Sequence, residues 1–330
     1  MKRPLRLILD KAMLRTMVDE LENEPEFHQL VSETYSSLRD GHTKSVIRWE
    51  RAVENFFRRS GFYIDIFEER TIGVDATFDN YRKAFQKRKT QVRYLAPMEF
   101  VRFAKHSMDF GEFQVRRFTA DELELIFQNR ISEIFYPQAT IDMERLGPYW
   151  FVDVLKPGPP PLPPRRMPWK EMGRVGMKDT KYQRAIEPVL PVLQQLALFD
   201  WQADIWMEED ESLERGWRGF HIPFVLRIDD NLLGTLGNAP DLSQLEWTSV
   251  LDARTGEEEG EGPEVLIDLD ENRTRSFKDF VIRVGNLLSG IKFKENNWEF
   301  LEVALGFFTK AFFSEGLEQM LWHIITLEAL

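Results

Sequence analysis

At 330 residues the chain has room for two or three domains, and its 43% hydrophobic content with 26 Phe excludes wholesale disorder. There is no cysteine, which rules out disulfides, thiolate nucleophiles and cysteine-ligated zinc or iron–sulfur sites and fits a reducing cytosol. The net charge of −12 argues against nucleic-acid adhesion by the whole surface. No apolar run approaches the ~18 residues of a membrane span, and the apolar part of the basic start is too short for a signal peptide, so a cytoplasmic protein with no membrane partner is expected.

The expected fold class is α+β: a helical N-terminal region, a mixed α/β middle domain and a C-terminal α-helical hairpin. Residues 1–109 read as mainly helical. Leu5, Leu7, Leu9, Met13, Leu14, Met17, Val18 and Leu21 predict a first helix after Pro4. Pro25 interrupts it, and further helices are predicted over 26–39 and 45–59, the latter ending at Ser60-Gly61. The alternation in residues 62–67 predicts a short strand. Phe78, Tyr81, Phe85 and Val92 return to helical spacing over 78–93.

Residues 110–290 read as the α+β domain. Thr119 and Glu122 form a capping-box pattern that opens a helix carrying Leu123, Ile126, Phe127, Ile131 and Ile134 and ending at Pro137. Strands are predicted over 149–155, 220–228 and 265–269, a middle helix after Pro191, and an amphipathic helix over 276–289. The run from Lys156 to Pro168 is proline-dense and extended, so residues 156–178 are read as an exposed loop. The acidic run 257–264, broken by Gly260, Gly262 and Pro263, reads as a solvated turn.

Residues 291–330 carry two apolar runs. Trp298, Leu301, Leu305, Phe308 and Phe312 lie on one side of a first helix, and Leu317, Leu321, Ile324 and Leu327 on one side of a second. Gly316 between them is placed to end the first helix in a left-handed conformation. Two helices alone do not cover faces this wide, so they need further helices, another subunit or the preceding domain. A homo-oligomer through the C-terminal helices is the partner this predicts. The second run stops at Leu330 in mid-pattern, which reads either as a chain cut short or as a helix that docks on the domain before it.

The hairpin, with Leu317-Glu318-Gln319 and Leu327-Glu328-Ala329-Leu330 on its second helix, resembles the opening of an Apea-like HEPN domain. Phe118-Thr-Ala-Asp-Glu-Leu, Phe135-Tyr-Pro-Gln-Ala and the run Gly219 to Asp230 resemble the upstream part of bacterial proteins that carry it. The resemblance implies an all-α, often dimeric bundle and a metal-independent ribonuclease-type effector of bacterial defence. It also implies that the catalytic Arg, four to six residues, His motif of a late helix is not in this chain. Catalytic residues are therefore unknown, and a truncated or non-catalytic member is expected. The competing class is a plain binding or scaffold protein.

The basic segment 80–118 holds ten Lys or Arg against three Asp or Glu, leaving −19 on the rest of the chain. Arg82, Lys83, Lys87, Arg88, Lys89 and Arg93 are the candidate nucleic-acid-binding residues, with Arg102 and Lys105 beyond them and Tyr81, Phe85, Tyr94 and Phe100 interleaved. Cations neutralise phosphates and rings stack on unpaired bases, so RNA is the partner they suit. The other reading is a solvated helix face whose rings are core.

Glu328 falls on the apolar line of the last helix and reads either as an acid that orients an arginine on a later helix or as an edge residue reaching solvent. Five histidines offer no zinc spacing, so no metal and no cofactor is expected. Arg215 and His221 match the nuclease spacing, but Gly216 and Gly219 between them argue against the helix that the chemistry needs. Asp268, Asp270 and Asn272 lack the glycine and closing glutamate of a calcium loop, and Asp229-Asp230-Asn231 reads as a turn. Pro160-x-x-Pro163-x-Arg165 matches a groove-docking pattern and equally a stiff connector.

Overall fold

The computed structural model describes residues 27–30, 47–67, 74–87, 89–158, 189–206, 221–234, 236–237, 242–245, 247–251, 258–263, 265–291, 298–312 and 316–329, with Thr16, Asn23, Pro25, Ser32, Ala239 and Glu295. Its centre is an antiparallel five-stranded sheet in the order β3-β4-β5-β1-β6, from β1 (Gln91–Met98), β3 (Ser107–Asp109), β4 (Gln114–Arg117), β5 (Trp150–Pro157) and β6 (Leu226–Asp229). Period-two alternation divides β1 and β5 between two cores. Val92, Tyr94, Ala96 and Met98 face one side with Val152 and Val154, while Leu95 and Phe151 face the other.

The first core is closed by two long helices, α7 (Leu190–Trp206) and α8 (Glu271–Gly290), whose Leu193, Leu196, Phe277 and Val281 are buried. The second core is closed by α4 (Ala120–Phe127) and α6 (Met143–Leu146) together with Phe224 and Leu245. A third core joins α1 (Ile47–Arg59), α2 (Phe62–Phe67) and α3 (Val74–Gln86) to α5 (Asn129–Phe135) through Phe56, Phe57, Tyr63, Tyr81 and Ile134. Beneath it the Tyr136 hydroxyl donates to Asn55 Oδ1 at 2.8 Å, and burial pushes that phenol up to about 12. Residues 91–98 and 107–109, grouped with the helical region from sequence, pair into the sheet.

Two smaller ladders flank this body. β2 (Phe100–Phe103) runs parallel to β9 (Val265–Leu269), and β7 (Thr248–Leu251) runs antiparallel to β8 (Glu258–Gly262). The chain leaves β1 for β2 through Glu99 and Phe100, the latter at φ 64, a left-handed conformation costly for an aromatic residue. The structure also describes the helical hairpin, α9 (Glu299–Phe312) and α10 (Gly316–Ala329), with α9 against α7.

Several expectations need correction. Residues 62–67 form a helix, not a strand: Gly61 at φ +79 reverses the chain, and consecutive Phe62, Tyr63 and Ile64 are all buried, which a strand between a core and solvent does not allow. The helix expected over 78–93 ends at Gln86, and Arg93 stands on β1, because Val92 and Tyr94 alternate into the sheet core. The helix opened by Thr119 breaks at Gln128, at φ 52, into α4 and α5. Residues 258–262 form β8, since a neighbouring strand supplies the ladder that composition argued against. The strand expected over 220–228 is confined to β6, with His221 bridging Glu99 alone. Gly316 opens α10. The Pro-rich loop beyond residue 158 and most of the helices expected before residue 40 lie outside the described residues.

Candidate functional surfaces

Tyr81, Tyr94 and Phe100 are buried, and half-buried Phe85 stacks on Tyr81, so the four rings do not line up as an exposed stacking platform. Their charges go elsewhere. Arg82 Nη1 lies 2.9 Å from Asp79 Oδ1, Lys87 pairs with Asp230, and Arg102 pairs with Asp268, which holds that carboxyl below its usual range. Arg93 Nε approaches the buried Asp153 Oδ1 at 3.1 Å, but neither atom makes a well-aligned hydrogen bond. Burial pushes the Asp153 carboxyl up, with Arg93 and Arg116 opposing. Arg88 lies outside the described residues. Lys83 and Lys89 are exposed and have no ion-pair partner among the described residues. Arg82, Lys83, Lys87 and Lys89 thus leave a small basic surface at the end of α3, without the expected stacking platform.

The acidic motifs are structural. Asp270 accepts from Arg273 N and caps α8. Asp229 and Asn231 close a turn through Asn231 N and Leu233 N, and Asp230 accepts from Gln91 N at 2.8 Å. His221 Nδ1 lies 2.5 Å from Oε2 of buried Glu99, under the Phe100 ring. That places it in an extended segment rather than on a helix, while Arg215 lies outside the described residues. Among the described residues no three His, Asp or Glu gather as metal ligands, and no helix is long and apolar enough to cross a membrane.

The hairpin exposes a run of apolar side chains. Trp322 stacks on Phe307 of α9, Lys310 lies 4.8 Å over Trp322, His323 meets Phe308 edge-on and Thr326 is buried. Burial pulls His323 below its ordinary range. On the far side Leu317, Met320, Leu321, Ile324 and Leu327 are 86, 60, 53, 42 and 73% exposed. At ~100° per residue, the line through 317, 320, 324 and 327 points roughly opposite to Trp322 and Thr326. The apolar line that the spacing picks out on the second helix is therefore turned to solvent. Glu328 is exposed at its edge.

One further site had no sequence signal. Arg59, in the last turn of α1, is only 4% exposed and sits among carbonyls. It donates to the oxygens of Asn231, Gly234 and Asp229, and through Nε to Gln128 Oε1 at 3.2 Å. Burial pulls this guanidinium below its ordinary range, with Asp229 opposing. Comparison with protein-family models, curated proteins and solved structures finds no match in any of the three.

Proposed function

We propose that this chain is a non-catalytic binding or scaffold protein that works as a pair of copies joined along α10. The observation that carries this reading is the exposed line Leu317, Met320, Ile324, Leu327. Its steps of three, four and three are the a and d positions of a heptad, and the complement of such a seam is another helix with the same period. A second α10 supplies that complement through a self-matching, two-fold contact. The resemblance of the hairpin to the start of an Apea-like HEPN bundle supports the same reading, because such bundles are helical and often dimeric. Sedimentation of the full chain is expected to give a concentration-dependent dimer, and Leu317→Lys with Ile324→Lys a monomer of unchanged circular dichroism. A wild type that stays monomeric at its highest soluble concentration overturns the reading.

An RNA-directed role, as in a ribonuclease-type effector of bacterial defence, is a second reading. It rests on the exposed Arg82, Lys83, Lys87 and Lys89 and on the same resemblance. Fluorescence anisotropy with a labelled single-stranded RNA tests it. Binding is expected to be weak, to fall with salt at a slope of about −0.7 per phosphate contacted, and to be lost in the Lys83→Ala, Lys89→Ala double variant. No binding at low salt returns this cluster to a solvated face.

A further inference from the structure

A cleft of about 410 Å³ opens where the turn between β3 and β4 meets the first turns of α7 and the last turns of α8. Phe110, Val281, Ile282 and Leu288 give it apolar walls. The Phe110 ring is half-buried and held in place, stacked on Phe113 at 4.6 Å and edge-on to Phe277 at 5.9 Å. The polar lining is mostly side-chain amides, from Gln194 and Gln195 on α7 and Asn286 on α8. None of the three amides is hydrogen-bonded to a described residue. Gly285 stands one turn beyond Val281 on the same face of α8, and the Gln195 amide lies across it. A Cβ at position 285 would be 2.8 Å from Gln195 Oε1, 3.1 Å from Cδ and 3.2 Å from Nε2. Distances so nearly equal mean that the amide lies flat on the helix, with its edge left open. Glycine weakens a helix interior, and here it leaves the room that this amide occupies. Of the residues named, none is charged; Glu112, exposed in the β3–β4 turn, adds a carboxylate to the lining.

We propose that this cleft binds a purine nucleoside without phosphate, its base against Phe110 and its edge hydrogen-bonded to the Gln195 amide. A carboxamide offers a donor and an acceptor side by side in one plane, and the major-groove edge of adenine offers the matching pair. Unpaired bases stack on aromatic side chains, and Phe110 is already fixed by its two neighbours. At ~30 Å³ per water-sized group the space holds about fourteen such groups, enough for a bicyclic base and part of its sugar. Gln194 and Asn286 are left for the sugar hydroxyls. The Glu112 carboxylate repels a phosphate, so the nucleoside is favoured over the nucleotide. The assignment is independent of pairing along α10.

Titration calorimetry of the full chain with adenosine, adenosine monophosphate and indole tests the proposal. Adenosine is expected to bind saturably and to raise the melting temperature. Indole lacks the paired donor and acceptor, the monophosphate meets Glu112, and each is expected to bind about tenfold more weakly. Gln195→Leu is expected to weaken adenosine about tenfold, the effect of one lost bidentate contact. Gly285→Ala is expected to do the same by displacing the amide, with the melting temperature of the free protein unchanged or raised. Glu112→Gln is expected to bring the monophosphate to the affinity of adenosine. No saturable binding of adenosine, equal binding of indole, tighter binding of the monophosphate than of the nucleoside, or full adenosine affinity in folded Gln195→Leu or Gly285→Ala overturns it.

Discussion

In the sheet domain the core side chains are closed off from solvent: Leu95, Phe151 and Phe277 are fully buried, each reached by residues from several elements. In the C-terminal hairpin, side chains of the same kind divide between an inner contact, Phe307 on Trp322, and an outer line left in solvent. The sheet has helices over both faces, so its cores close within one chain and Leu125, Leu155 and Leu287 are left exposed only singly at their edges. A helix with apolar residues on opposite sides needs a neighbour on each, and α9 covers only one. What separates the two regions is therefore the number of covering elements, not hydrophobicity.

Truncation is the sharpest way to break the comparison. Phe277→Ala removes a ring packed on Phe103, Phe110 and Phe199, and is expected to cost about 3–5 kcal/mol in urea unfolding. Leu317→Ala, at low protein concentration, is expected to change the same measurement by less than about 0.5 kcal/mol. Equal costs would mean that the outer line of α10 is covered within the monomer.

A smaller effect comes from the sheet's own polar defect, at Asp153. Its folded-state carboxyl lies above the ordinary 3.8 because it is buried. The folded chain therefore holds that proton more tightly than the unfolded one, and the group's contribution to stability falls as pH rises from about 3.8 through the folded value. Asp153→Asn removes this slope, so its stability relative to wild type is expected to rise with pH across that window. A relative stability that falls with pH would show that the Arg93 contact outweighs desolvation.

The smallest effect is local. Thr119 Oγ1 accepts from Glu122 N, and Glu122 Oε2 accepts from Thr119 N. That second bond, followed by the contact with Arg116, holds the Glu122 carboxyl below its usual range. Thr119→Ala is expected to cost about 1 kcal/mol near neutral pH. Glu122→Ala, which removes the acceptor of Thr119 N, is expected to cost less as the pH falls, because a depressed carboxyl contributes above its unfolded value and loses that contribution as pH falls through the folded one.

What was legible in the sequence was what the chain decides locally. The capping box at Thr119, the turn at Asp229 to Asn231 and the strand Val265 to Leu269 all stand where short-range chemistry puts them. The last two helices were found by their period, but a period does not say which side meets the neighbour, and on α10 the inner side is Trp322 and Thr326. Phe62 to Phe67 and Glu258 to Gly262 were misread because their conformation is set by distant partners: the cluster around Phe57 in one case, β7 in the other. Arg59 carried no signal at all, since its carbonyl cage comes from residues 229–234, far along the chain.

The parallel pairing of β2 with β9 bears on how the protein is made. Arg102 meets Asp268 across 166 positions. At the usual 5–20 residues per second of translation, roughly 8–33 s pass between the emergence of the first strand and that of its mate. Throughout that interval Phe100 to Phe103 leaves the ribosome with one edge unsatisfied, so nascent chains stalled before residue 265 are the species that chaperones should hold longest.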